Sequence, residues 1–260
     1  MSLFVRLVRA LLILGRIFTS YLLQLALLKM FRKWKLDPET GREVADVPAW
    51  LARRQTRVDD LNAKRLLAGM LNLRGVYIKL GQVLSVMGGF LPDAYARELE
   101  SLQDAVPPQP WDVMAKAFED SLGKPPSAVF ERIDHTPLAA ASLGQVHIAY
   151  SATGEKYAVK VLYPGIRDVV RVDLRVVNLG LRLYRMFVPV QNISAVYDAL
   201  VDLLKRETDY VHEAACMTRM AKNFESEPDI LFPEVIASAS SGEVLTMTFM
   251  EGIKITRFDE

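Results

Sequence analysis

Cysteine and histidine are scarce in this sequence: Cys216 stands alone, and His135, His147 and His212 show no metal-ligand spacing. An intrachain disulfide and a cysteine-cluster metal site are therefore excluded, and a reducing compartment is the natural setting. Internal repeats and low-complexity stretches are also missing, which excludes a repeat array. Acidic charge is absent from residues 1–36, which carry Arg6, Arg9, Arg16, Lys29, Arg32, Lys33 and Lys35. The overall net charge of +1 hides this division, because the remaining chain holds 25 basic against 31 acidic side chains. Basic character confined to one end points to a local anionic partner such as a lipid surface, and argues against a nucleic-acid-binding body. With 260 residues, 51% hydrophobic and 24% charged, the chain is neither disordered nor polytopic, and two domains are expected.

From Ala10 to Leu28 the only charge in 19 residues is Arg16, so length alone fits a bilayer span. At 100° per residue, however, Ser2, Arg6, Arg9, Arg16, Ser20 and Gln24 gather into one stripe with apolar residues around the rest. This favours a helix lying in the membrane interface, since a centrally placed Arg costs a spanning helix about 2.5–3.5 kcal/mol. The cluster Lys29, Arg32, Lys33, Trp34 and Lys35 adds attraction to anionic lipid and an aromatic suited to the headgroup level. The competing readings are a helix packed into the fold with a basic edge, and a signal peptide, although no small-x-small cleavage site follows.

Residues 37–54 read as a linker, broken by Pro38, Gly41 and Pro48. Helical spacing follows in Leu61, Leu66, Leu67, Met70 and Leu71, then Tyr77, Ile78, Val83 and Leu84, with Gly88-Gly89 as punctuation and Pro92-Asp93 opening a further helix. Residues 55–128 are thus expected to be a helical extension. Short β-rich runs then occur at 129–133, 145–150, 156–162 and 243–250, with Thr153-Gly154 as a hairpin signal. Helical stretches over 165–187 and 194–224, split by Pro189, separate the third run from the last. The expected class is α+β: an antiparallel sheet with helices over 129–260, preceded by the extension and an N-terminal amphipathic helix over 1–36.

Tyr157-Ala158-Val159-Lys160-Val161 follows the hairpin on a strand, and alternation sets Lys160 on the face opposite Val159 and Val161. A solvated strand lysine is the ordinary meaning of such a run. Downstream, Glu207-Thr208-Asp209 and Glu213-Ala214-Ala215 mix acidic and small residues, so that Glu213 can meet Lys160 where a helix approaches the sheet. Glu207 and Asp209 are about 200° apart in a regular helix, so one of them is expected near a helix start. Before the lysine, Ala139-Ala140-Ala141-Ser142-Leu143-Gly144 presents small side chains that let backbone amides approach an anion, or else a plain helix start.

Together these motifs resemble the UbiB/AarF family of atypical protein kinases over residues 55–258, as an N-terminal extension plus small lobe. Ala139-Ala140-Ala141-Ser142 is similar to the alanine-rich loop that takes the place of the kinase glycine-rich loop, and Lys160 to the strand lysine, with Glu213 as its helix partner. Glu207 and Asp209 match the family's Glu-x-Asp motif, Lys79, Gly81 and Gln82 its Lys-x-Gly-Gln signature, and Phe249 to Gly252, including Glu251, the hinge. The resemblance implies a kinase-like small lobe that binds ATP and Mg²⁺, with the Lys-x-Gly-Gln helices restraining access to the nucleotide. It further implies atypical kinase or ATPase activity supporting isoprenoid quinone (ubiquinone) biosynthesis or lipid handling, with quinone precursors or quinone-biosynthesis proteins as partners. The expected location is the cytoplasmic face of a bacterial inner membrane or its organellar equivalent.

Nine residues follow Glu251, and the family's large lobe, with its catalytic aspartate, asparagine and metal-binding aspartate, is not among them. Phosphoryl transfer depends on those charges, so catalytic incompetence of this chain alone is expected. A piece of a longer enzyme, one half of a split kinase, and a non-catalytic membrane or lipid-binding module all fit that observation.

Overall fold

The structure, a computed structural model, describes residues 2–36, 43–86, 91–103, 107–186 and 193–253. The expected Gly88-Gly89 punctuation, the Pro189 break and Pro38 and Gly41 of the linker lie outside these residues. The chain divides into a helical unit, residues 1–105 and 171–197, and a sheet-bearing unit, residues 106–170 and 198–260.

The helical unit begins with α1 (Leu3–Phe31), capped by Ser2, whose hydroxyl accepts from the Val5 amide. Next comes a short antiparallel pair, β1 (Lys33–Leu36), at the end of the segment expected to be the N-terminal helix, and β2 (Glu43–Asp46), within the expected linker 37–54. The exposed Lys35–Asp46 ion pair, 2.8 Å, sits on this hairpin. Then follow α2 (Ala49–Leu73), α3 (Val76–Val86) and α4 (Asp93–Leu99), the last opening after Pro92 as its sequence suggests. Their shared core holds Ala63, Met70, Leu73, Ile78, Leu99 and Leu102. Leu61 and Leu71, expected inside, are exposed, while Asn62 beside them is fully buried and donates to Ser20 Oγ at 2.7 Å.

Part of the polar stripe of α1 faces inward, against the expectation that it meets water or headgroups: Arg6 and Gln24 are buried and Ser20 is half-buried, while Ser2, Arg9 and Arg16 are exposed. Arg6, Ala10, Ile17 and Gln24 are the buried residues of the helix, whereas Phe4, Val8, Leu11, Leu12, Leu22 and Leu23 are exposed. The cause is partner chemistry: Gln24 donates to the Leu51 carbonyl and accepts from Arg54, and Arg6 ion-pairs with Asp173. Polar groups satisfied inside leave the apolar side as the outer surface. Among the described residues, α1 is the one helix long and apolar enough to cross a membrane.

In the sheet-bearing unit, α5 (Trp111–Leu122) starts after Pro110, with Asp112 in its first turn, and ends at Gly123 in the left-handed conformation. The boundary expected at residue 128 therefore falls earlier, because α5 supplies one wall of the sheet's core: Met114, Ala117 and Phe118 pack with Phe130, Ala149, Val159, Val161 and Val244. The sheet contains β3 (Arg132–Ile133), β4 (Ala139–Ala140), β5 (Gly144–Tyr150), β6 (Lys156–Leu162) and β7 (Val244–Thr248), all antiparallel. Its main path runs β3-β5-β6-β7, with β4 also pairing β5. Gly154, at φ +85°, makes the β5–β6 turn. The chain continues through α6 (Ile166–Arg185), α7 (Ile193–Glu207) and α8 (Tyr210–Asn223). The break between α7 and α8 needs no proline or glycine, since Asp209 caps α8 by accepting from the His212 amide at 3.0 Å.

Candidate functional site

Strand alternation gives the sheet a closed face and an open one. Gln145, His147, Ala149, Val159 and Val161 point to the α5 core, and burial pushes the His147 imidazole below its usual range. On the other face the register aligns Ala139, Val146, Lys160 and Leu245 in one row across four strands. The adjacent row is Ile148, Ala158 and Met247, all half-buried. A lysine thus stands beside an apolar shelf, at the end of the sheet where the alanine loop turns back.

Lys160 Nζ donates to both Glu213 carboxylate oxygens at 2.8 Å, and both side chains remain about a third exposed. Helix α8 is held there by Tyr210, which is buried, and over whose ring the Lys160 ammonium sits 4.8 Å from the centroid. Burial, then Glu213, then Glu207 push the Tyr210 phenol far above its usual range, so Glu207 shares this electrostatic environment. Ala214 is half-buried but Ala215 is exposed, so only the first of the two expected small residues lies on the inner side. Arg167 closes the arrangement by donating to the Thr208 and Gly242 carbonyls at 3.0 and 2.9 Å.

The alanine run is neither a helix start nor an open loop. Ala139 and Ala140 pair with Val146 and Gln145, and the Ala141 amide donates to the Gly144 carbonyl at 2.8 Å. Ser142 is buried in the turn. Gly144 is required by contact: a Cβ there would lie 2.5 Å from the Val161 carbonyl oxygen and 3.1 Å from the Tyr210 hydroxyl. At the far end of β7, the Phe249 amide is spent on the Lys156 carbonyl at 3.0 Å. The Lys156 ammonium lies 3.8 Å from the Phe249 ring centroid and 3.4 Å from Glu251.

The Lys-x-Gly-Gln residues belong to the helical unit. Gln82 donates to the Leu102 carbonyl at 3.1 Å, and a Cβ on Gly81 would strike the Leu102 and Met70 side chains. Gly81 and Gln82 therefore bind α3 to the turn at Glu100–Gln103, with Lys79 half-buried on the same helix. Among the described residues, no group of three or more His, Cys, Asp or Glu side chains could hold a metal ion. Sequence reading missed Ala158, Val146, Met247, Tyr210 and Arg167. A period of two from Lys160 would have found Ala158, whereas Val146 and Met247 need the strand register.

Comparison with known proteins agrees with this geometry. The model of the ABC1 atypical kinase-like domain matches residues 101–260. A probable protein kinase UbiB from Pseudomonas aeruginosa PAO1 is 36% identical over 214 residues, covering 80% of this chain and 39% of its own length. The uncharacterized protein sll1770 of Synechocystis sp. is 34% identical over 200 residues, covering 76% of this chain and 34% of its own. The chain thus spans between a third and two fifths of these relatives. A solved structure, that of the Rv3197–erythromycin complex from Mycobacterium tuberculosis, matches at TM-score 0.50 and 31% identity over 79% of this chain and 52% of that one. With the lysine–glutamate pair and the alanine hairpin both inside the residues that the family model matches, the chain belongs to the ABC1 atypical kinase-like family, and probable UbiB kinases are among its relatives by sequence.

Proposed function

We propose that the sheet-bearing unit is the ATP-binding small lobe of a UbiB-type atypical kinase or ATPase that works at a membrane. The observation that carries this reading is Lys160, held at 2.8 Å by Glu213 on the open face of the sheet, in register with Ala139 of the alanine hairpin. In kinases such a pair orients the nucleotide phosphates. ATP fits what the face offers: Val146, Ala158 and Met247 form an apolar bed for the base, Lys160 supplies charge for the phosphates, and the hairpin turn supplies amides. The Phe249 amide is already engaged, so contacts to the adenine edge fall to Met250, Glu251 and Gly252. Bound ATP would supply the transferable phosphoryl group, and Mg²⁺ would arrive with its phosphates.

The membrane part of the reading rests on the outward apolar side of α1, followed by Lys29, Arg32, Lys33 and Trp34. Basic residues at that end favour the cytoplasmic face and anionic lipid. Support of isoprenoid quinone biosynthesis, with quinone precursors or their enzymes as partners, is what the resemblance to the UbiB/AarF family implies and is part of the same proposal.

The test is calorimetric titration of MgATP into the full chain in nanodiscs. Saturable binding that Lys160→Ala weakens roughly tenfold or more is expected, since a charge-assisted contact to phosphate is lost. Absence of binding by folded protein, or equal binding by Lys160→Ala, overturns the reading. The exposed side of α1 favours a second reading, a lipid-binding module without nucleotide chemistry, for which vesicle binding persists and no MgATP heat is seen.

A further inference from the structure

The helical unit holds an open-sided cavity of about 510 Å³ lined by α1, α2, α3, α4 and the unit's part of α6. That volume lies within the roughly 300–1,000 Å³ of small-molecule sites. Its walls are mostly apolar, with Ile13, Leu66, Leu80 and Leu181 among them; Tyr21, Gln55, Asp59 and Tyr95 form one polar cluster, and Gln24, Tyr77 and Tyr184 are the other polar liners. Leu25 and Met186, both exposed, also line it and mark its opening to the outside.

The hydrogen bonds among the polar groups define what they can still accept. Tyr21 donates to Asp59 Oδ1 at 2.6 Å, and Gln55 donates to both Asp59 oxygens at 2.9 and 3.1 Å. With the Tyr21 proton given to Asp59, the 2.8 Å contact between the two phenols is a donation from Tyr95 to Tyr21. The hydroxyl protons of this cluster are then spent, and its carboxylate and phenol oxygens remain as acceptors. A ligand head seated at the cluster must donate, and an anionic head there meets a carboxylate. An alkyl chain fills the rest of the space, each buried methylene tightening binding roughly fourfold.

We propose that this cavity binds a single-chain amphiphile whose head donates a hydrogen bond, an alcohol or amine in preference to a carboxylic acid. The site does not depend on nucleotide binding in the other unit. Gly180 offers a means of closing it, because a Cβ there meets the Leu14 side chain at the ordinary distances of 3.4 and 3.6 Å, and a longer side chain enters the cavity.

The experiment uses the full chain in phosphatidylcholine nanodiscs, a diazirine-bearing tetradecanol as probe, and peptide mapping after irradiation. Adducts are expected on wall residues of α1, α2 and α6, such as Ile13, Leu66 and Leu181, and unlabelled tetradecanol and tetradecylamine should chase them. Tetradecanoate should compete roughly tenfold less well or worse, because its charge opposes Asp59. Gly180→Leu should remove the wall adducts, and Asp59→Asn should let tetradecanoate compete like the alcohol. Adducts confined to outward residues such as Phe4, Leu11 and Leu22 and unchanged in Gly180→Leu overturn the proposal, as does equal competition by all three heads. Should Gly180→Leu fail to fold, the head selectivity of wild type against Asp59→Asn decides.

Discussion

Arg6 and Asp173, 167 positions apart in sequence, form a buried ion pair, in which Arg6 Nε lies 2.8 and 3.0 Å from the two carboxylate oxygens. The same guanidinium donates to the carbonyls of Leu73 and Arg74, so one side chain of α1 joins the end of α2 to α6. Burial raises the Asp173 carboxyl and the Arg6 guanidinium opposes that rise. Asp173→Ala leaves a buried guanidinium without its counter-charge and is expected to cost about 3–5 kcal/mol. Replacing both partners, Arg6→Met with Asp173→Leu, should recover most of this, since the desolvation cost of both charges disappears. Chemical unfolding of the three proteins measures it.

The pair also orients the apolar side of α1 outward, where Phe4 is 73% and Leu12 63% exposed. If that side contacts lipid, each leucine removed from it loses about 1.5–3 kcal/mol of transfer energy, with a charge penalty added when glutamate replaces it. Leu12→Glu with Leu22→Glu should abolish sedimentation with anionic vesicles while helicity is retained. Unchanged sedimentation would show that lipid meets another surface.

His147 is buried between Gln145 and the Asp134 carbonyl, with ring contacts to Trp111, and burial lowers its pKa. The folded state therefore binds fewer protons than the unfolded state just below the unfolded value of about 6.5. The associated stability is present above that pH and is lost as pH falls below it, through the depressed folded pKa. His147→Gln should flatten the drop in thermal stability between neutral pH and about pH 5, a fall that the wild type shows.

Gly144 and Gly81 carry different expectations. The atom nearest a Cβ at Gly144 is backbone oxygen, which cannot move without shifting β6, so Gly144→Ala should disturb Tyr210 and Lys160 and impair nucleotide binding as well as stability. At Gly81 the obstacles are side chains of Leu102 and Met70, so Gly81→Ala should cost about 1–3 kcal/mol of overpacking. Unfolding midpoints alongside nucleotide affinity separate the two.

Local pattern made parts of the fold legible and left others hidden. Strand β6 coincides with the expected 156–162, because alternation and flanking turn residues are local signals. The 129–133 run shrank to Arg132–Ile133, since Phe130 is drawn into the α5 core and Val129 closes a 3-10 turn. Ala139-Ala140 has no side chains to signal a strand, and only pairing with β5 makes it one. The stripe on α1 was visible, but its direction depends on Asp173, Leu51 and Arg54, which no local window contains. At the site, the Lys160–Glu213 pair was readable from motif order, whereas the shelf of Val146, Ala158 and Met247 depends on register.

Hydrogen–deuterium exchange of the full chain in nanodiscs, with and without MgATP, tests the central claim most directly. The account predicts slowed exchange at the Ala139–Gly144 turn and at Met250–Gly252, on both sides of the Lys160 row, with no such change in Lys160→Ala. Unchanged exchange in these segments at saturating MgATP, or the same protection in Lys160→Ala, would contradict it.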